Sequence, residues 1–528
     1  MGVNSLLGGN SGVFKSQTAT SPMSNRQFRF MVMVSGVLVF GALLTALNVY
    51  ELHKLTQQHW TKMHDPGEAD AEGRGANHYA KPIAWIKGKR MESGYLKHVV
   101  NVFMRLGYEV THNENENWDV LWAHNYPFNE LKSTMQKLKP YQRVNHFPGS
   151  GYISNKVSLA VSGLPYIPRA FRMPAEKDAL LKFSKVNPNM MFVQKSNNHR
   201  GIKIEKLDDL DLGTEGSFVQ EFVHNPLLID GYKFDIGVYT IITSIQPLRV
   251  YVFMGDVLFR FCPEKYHPFD PEIRDKYVVG DDYLPTWKVP SLTPFYTKFG
   301  SGMKSSFDAW LKSQGKSGCQ HCVWDSVGDA IRTVFYAKES LFIQSGKSYP
   351  KTHNFFEMYR FDFVIDDQLR VHLMEANMSP NLSSQHFKEN RLLYEQVVFN
   401  YLSLVGVGTA VHTGTVEPQS KDEEDMVVSV TDIAVFPNHC LKNCNASSAC
   451  EQTQCQLCIP CLSSDTLVDL KLAYREHLAR RACKRVVPQA INPDHAHTPS
   501  NMDSITPENT LMTEWFRGKC LTDSSFCN

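Results

Sequence analysis

A chain of 528 residues, 42% hydrophobic and 11% aromatic, is too long for one ordinary core and is expected to build two to four folded units. With 55 basic against 54 acidic side chains its formal net charge is +1. No basic stripe is interleaved with aromatics, so nucleic acid is excluded as an expected partner.

After a polar tail over residues 1–29, Phe30 to Tyr50 runs 21 residues without a charge. A helix that long spans a hydrocarbon core of about 30 Å, and it is read as a single transmembrane anchor. Lys15, Arg26 and Arg29 before the span outnumber Lys54 and Lys62 after it, which favours an N-in orientation. Residues 51–80 are a polar linker with Gly67, Gly73 and Gly75. A strand, a helix with Leu96, Val99, Val100 and Phe103 on one face, and further strands predict a small α/β unit over 81–145.

From Phe192 strands dominate, punctuated by Asn-Pro, Asp-Gly, Gln-Pro and Gly-Asp. Residues 265–320 show little periodicity and are expected to form a long insertion. Helical spacing returns at "WDSVGDAIRTVFYAKESLFI", and "MYRFDFVIDDQLRVHLMEA" reads as a hairpin followed by a helix through "RLLYEQVVFNYLSLVG". An acidic break, "KDEEDM", opens a Cys-rich tail over 411–528. In that tail Cys440, Cys444, Cys450, Cys455, Cys458 and Cys461 lie close together; disulfides are favoured over zinc thiolates because no His pair follows at finger spacing.

The hairpin carries the first chemical signal. If Gln368 and Leu369 form a two-residue loop, Asp362 falls opposite Glu375, with side chains about 5 Å apart on one face. Two carboxylates so placed repel unless a cation lies between them, and Asn377 returns to the same face with a neutral oxygen. That oxygen set suits Mg²⁺; two carboxylates on a solvated face are the alternative. Upstream, Lys233, Asp235 and Gly237 share one face of "YKFDIGVYTII" while Phe234, Ile236 and Val238 share the core face. The Lys-Asp pair is either a surface ion pair or a phosphate-binding ammonium with a partner acid. Gln220 and Glu221 end a strand whose backbone could edge an adenine. Lys195, Arg200 and Gly201 occupy a polar turn suited to covering phosphate.

"NHFPGSGYISNK", "VQKSNNHRGIKI", "VQEFVHNPLLIDGYKFDIGVYTI", "QPLRVYVF" and "FDFVIDDQLRVHLMEANMSPNL" occur in the order of the tubulin tyrosine ligase-like family, which the chain resembles over about 145–405. The resemblance implies an α/β (α+β) chain with an ATP-grasp fold over 146–410. It also implies ATP and Mg²⁺ as cofactors, and ligation of a free amino acid, glutamate first, to a protein carboxylate through an acyl phosphate. Tubulin or the microtubule is the implied acceptor. By position, Lys195 resembles the phosphate-contacting lysine, Gln220, Glu221, Phe222 and Val223 the adenine hinge, and Lys233 and Asp235 the nucleotide-binding pair. Asp362, Glu375 and Asn377 resemble the magnesium ligands, and Lys156 a further ATP-site lysine; Lys195, Lys233 and Glu375 are the expected catalytic residues.

Two departures accompany the resemblance. Gly237 stands where the family's K-x-D-x-R pattern has arginine, which reads as a lost cation, and "KYVVGDDYLPTW" replaces an H-L-T-N segment. Those departures leave open a nucleotide-binding pseudoenzyme or interaction protein, and the N-in topology leaves open a luminal ligase with a non-tubulin acceptor. Asn377-Met-Ser379 is also a formal glycosylation sequon, and a glycan there would destroy the metal site.

Overall fold

The computed structural model describes Met33 and residues 81–89, 91–114, 117–196, 202–316, 318–350, 353–408, 425–444, 450–452, 454–498 and 506–528. Short apolar runs between turn residues give β1 (Ile83–Lys87), β2 (Glu109–Thr111), β3 (Val120–Ala123) and β4 (Arg143–Val144). They form a parallel sheet in the order β2-β1-β3-β4. Helix α1 (Lys97–Arg105) buries Val99, Val102 and Phe103 against it. Gly107, at φ +88°, supplies the left-handed residue that turns the chain into β2. Val144 pairs with Phe355 and thereby ties this unit to the strand that follows Phe355.

A second sheet is antiparallel, β5 (Ala170–Arg172), β6 (Phe192–Ser196), β7 (Lys203–Glu205) and β8 (Ser217–Glu221), in the order β5-β8-β6-β7. Helix α2 (Lys177–Val186) lies between β5 and β6 in the chain.

The third and largest sheet holds β9 (Leu228–Ile229), β10 (Tyr232–Ile245), β11 (Leu248–Phe253), β12 (Leu258–Phe261), β13 (Leu284–Pro285), β14 (Glu357–Ile365), β15 (Val371–Asn377) and β16 (Cys483–Val487). Its centre is β10, paired along one edge with β12 and then β11, and along the other with β14. Every residue of β14 is buried, as expected of a strand covered on both faces. Phe234, Ile236 and Val238 of β10 are buried on the core face, and one continuous apolar core joins the parallel sheet to the central one.

The segment 265–320 departs from its expected irregularity. Helix α3 (Met303–Ser313) buries Met303, Phe307, Trp310 and Leu311, a helical spacing hidden by the Pro- and Gly-containing residues before it. Helix α4 (Cys319–Gly346) begins five residues before Trp324, and α5 (Asn390–Leu404) follows the hairpin. The tail is also more than a scaffold for cysteines. Helices α6 (Ser464–Ala479) and α7 (Pro507–Cys520) build a second apolar core with Val428, Ile433, Trp515 and Phe516, and β16 joins the central sheet beside β11. Disulfides link Cys440 to Cys458, Cys444 to Cys455, Cys450 to Cys461 and Cys520 to Cys527. The thiolates that zinc would need are therefore consumed, although His439 lies beside Cys444 and Cys455.

The membrane assignment is corrected. Among the described residues no helix is long and apolar enough to cross a membrane. The longest, α4, carries Asp325, Asp329, Arg332, Lys338 and Glu339 along its length, and bilayer spans exclude such charges. The segment 30–50 read as an anchor, Met33 apart, lies outside the described residues, as do the tail 1–29 and the linker 51–80.

Candidate active site

The β14–β15 hairpin sets Asp362 opposite Glu375. Its turn differs from the two-residue loop expected. Ile365 pairs with Val371, Leu369 adopts φ +64°, and Asp366 Oδ1 accepts from the backbone N–H of Gln368 and Arg370. Left alone, that turn would put Asp362 out of step with Glu375. A bulge between Asp362 and Phe363 in the ladder restores the pairing by making Met374 the extra residue of β15.

Around the pair the polar side chains converge. Asn377 Nδ2 donates to Glu375 Oε1 at 3.1 Å and to Asp362 Oδ2 at 3.3 Å, bridging the two carboxylates. Lys156, at the start of a short helix capped by Asn155, reaches Glu375 Oε2 at 2.8 Å. Burial pushes the Glu375 carboxyl up, but the Lys156 ammonium, the Asn377 amide and Lys195 outweigh it and hold the carboxyl down to about 2. Lys195 Nζ, on β6, lies 3.5 Å from Gln220 Oε1 on β8, and Gln220 Nε2 donates to Pro168 O at 3.0 Å. Burial, with Lys156 and Lys233 nearby, lowers the Lys195 ammonium to about 8 against the pull of Glu375. Lys233 is buried and donates to Tyr277 O at 2.9 Å, so the 265–320 segment folds over this end of β10.

Asp235 is held by Arg260 through Nε at 2.8 Å and Nη2 at 2.9 Å, because β12 sets Arg260 directly opposite it. Arg260 Nη2 also reaches Asp362 Oδ2 at 3.1 Å. Arg360, two residues before Asp362 and on its face of β14, grips the same carboxylate through Nε at 2.7 Å and Nη2 at 2.8 Å. Neither arginine stands out when motifs are read singly. The available signal was period two: in the apolar runs "LFRF" and "MYRFDF" each arginine is the lone base on a face shared with a site acid or its cross-strand partner.

Strand β8 ends at Glu221, and Phe222 follows it, buried against Tyr266 and Tyr277 with its ring 5.7 Å from that of Phe269; Val223 comes next in the chain. Lys156, Glu375, Asn377 and Asp362 are therefore linked contact to contact, as are Asp235, Arg260 and Asp362, while Lys195 contacts Gln220 and lies within electrostatic reach of Glu375 and Lys156. Arg200 and Gly201 lie outside the described residues.

The donor set fits Mg²⁺. Two carboxylates and an amide meet at one point, and a half-turn of the Asn377 amide would present its oxygen where its NH₂ now bridges both acids. Asp362, Glu375 and Asn377 are the residues that would hold the ion.

Residues 132–415 match the family described as "Tubulin-tyrosine ligase family". A probable tubulin polyglutamylase, ttll-15, of Caenorhabditis elegans is 41% identical over 475 residues, covering 88% of this chain and 90% of the relative. The mouse tubulin polyglutamylase TTLL6 is 25% identical over 317 residues, 56% of this chain and 37% of its own length. The human tubulin monoglutamylase TTLL4 is 26% identical over 294 residues, 51% of this chain and 24% of its own. The breadth of the family match and the near end-to-end likeness to the nematode protein agree: the chain belongs to the tubulin-tyrosine ligase family.

Proposed function

We propose that this protein is an ATP- and Mg²⁺-dependent amino-acid ligase of ATP-grasp architecture that joins glutamate to a side-chain carboxylate of a protein acceptor, tubulin by analogy with its named relatives. The observation that carries the reading is the convergence of Asp362, Glu375 and Asn377 on one hairpin face, with Lys156 bound to Glu375 and Lys195 beside it. Such a site neutralises polyphosphate and places acids where a divalent ion is needed.

ATP lies between the second sheet and the central one in this reading. Gln220 to Val223 border the adenine, and Lys195 and Lys233 face the phosphates. Mg²⁺, when bound, supplies charge neutralisation on the phosphate oxygens. The acceptor carboxylate oxygen attacks the γ-phosphorus, the bond to the β-γ bridging oxygen breaks, and ADP leaves. The amino group of the incoming glutamate then attacks the activated carbonyl. An amide C–N bond forms, the C–O bond to phosphate breaks, inorganic phosphate departs, and the amine gives up a proton to solvent. Lys156 and Lys195 hold positive charge beside Glu375 throughout, and the hairpin fixes the acids so that little reorganisation is needed.

The disulfides favour a second reading for the acceptor alone. Four such bonds persist best in an oxidising compartment, where a protein other than tubulin would supply the carboxylate. Incubation with ATP, Mg²⁺ and labelled glutamate, using tubulin and a glutamate-rich secretory protein in parallel, tests both. Incorporation into tubulin supports the first reading, and incorporation confined to the secretory protein supports the second. No incorporation into either, with ATP bound, would overturn the ligase reading.

A further inference from the structure

Gly237 reads in the sequence as a vacancy on the cleft face, but its surroundings are filled. It pairs with Asp362 on β14 and Leu258 on β12, and its φ is not in the left-handed region, so nothing in the backbone requires glycine there. Space does. A Cβ at 237 would lie 2.7 Å from Arg360 Cδ and 3.1 Å from Arg360 Nε. Arg360 starts opposite Tyr239, crosses the sheet face directly over Gly237 and lands on Asp362. Its guanidinium is anchored twice to that carboxylate, so it could not yield cheaply to a side chain at 237.

Arg260 approaches the same point from the opposite neighbour, β12. Both guanidinium groups use Nε and Nη2 on Asp235 or Asp362. Each leaves Nη1 without a protein hydrogen bond among the described residues. The formal charges of the cluster do not balance: Arg260, Arg360, Lys156, Lys195 and Lys233 face Asp235, Asp362 and Glu375, five cations against three anions. Two forked cations with free ends, side by side on a cleft face, match a carboxylate.

We propose that Arg360, reaching across Gly237 from the neighbouring strand, forms with Arg260 a subsite for a substrate carboxylate, and that Gly237 is small so that Arg360 can take this path. The inference rests on the ligase reading for its substrates, the free amino acid and the acceptor glutamate, both of which carry carboxylates.

The full chain, loaded with Mg²⁺ and a non-hydrolysable ATP analogue, is titrated with labelled glutamate and, separately, with a glutamate-rich peptide. Nucleotide affinity is measured on each preparation. Arg360→Ala is expected to weaken one of the two ligands by roughly tenfold or more, the value of a lost charged contact, and by clearly more than it changes nucleotide affinity. The ligand that weakens identifies the carboxylate's source. Arg360→Lys recovers only part of the loss, because an ammonium does not fork. Gly237→Arg weakens the same ligand by crowding, and adding Arg360→Gly to it restores binding toward that of the unaltered chain. Unchanged binding of both ligands by Arg360→Ala overturns the proposal. So does loss of nucleotide in step with the ligand, a harmless Gly237→Arg, or failure of the unaltered chain to bind either ligand. If carboxylate binding follows this pattern but no glutamate is incorporated, the ligase reading fails and the subsite stands.

Discussion

The central sheet carries two arginine–carboxylate clusters, and they differ in the ways that separate a fastening from a site. At β11, Arg249 is 1% exposed and meets Glu476 of α6 through Nε at 2.9 Å and Nη2 at 3.1 Å, while Tyr251 donates to the same acid at 3.0 Å. Arg249 lies between Glu476 and Asp469, buried Arg143 adds a second cation that acts on Glu476, and burial pushes the Asp469 carboxyl up to about 6. That cluster docks α6 onto the central sheet through a nearly fully buried arginine. On the cleft face cations exceed acids, the Nη1 groups of two arginines make no protein hydrogen bond among the described residues, and Glu375 is held down to about 2. Surplus cation on the cleft face calls for an anionic ligand, whereas a buried arginine fastened to the acids of a packed helix calls for none.

The comparison breaks most readily at its closed half. Arg249→Met leaves Glu476 buried without its partner and should cost about 3–5 kcal/mol of stability, read by denaturant unfolding. Nucleotide affinity of the protein that remains folded should not move. The open half responds in reverse. Glu375→Gln should lower ATP-dependent glutamate incorporation about 100- to 1,000-fold, as removal of a charge-stabilising group in an active site does, in the fraction of protein that remains folded.

A smaller effect concerns Lys195. Its ammonium, lowered to about 8, loses its proton as pH rises through that value, so ATP affinity should fall by up to about fivefold between pH 8 and 9. Lys195→Arg should flatten that decline, since a guanidinium does not titrate there. The smallest effect lies on the acid side. A carboxyl lowered from 4.5 to about 2 stabilises the fold fully above its ordinary range and loses that contribution as pH falls toward 2. Glu375→Gln should therefore shallow the acid limb of the stability curve, seen by thermal melts between about pH 5 and 2.

Sequence reading located the pairing of Asp362 with Glu375 but not the means by which it forms. Gln-Leu is a poor two-residue turn, and no alternation pattern announces that Leu369 turns left-handed or that Met374 bulges out to correct the register. Gly237 was legible as a departure and misleading as a vacancy, because what fills it comes from position 360, over 120 residues away in the chain. Strand β16 shows the same limit. "CKRVV" inside a disulfide-bearing tail has nothing local to say that it pairs with β11, more than 200 residues earlier. Faces and strands follow from nearest-neighbour periodicity, but the partner across a ladder is decided by the whole chain.

The central claim is that the hairpin acids serve ATP-dependent ligation. It is tested most directly by mixing the full chain with ATP, Mg²⁺, labelled glutamate and tubulin, alongside the Glu375→Gln protein folded to the same degree. The account predicts label in tubulin that requires ATP and falls at least about 100-fold with Glu375→Gln. Equal incorporation by the two proteins would contradict it.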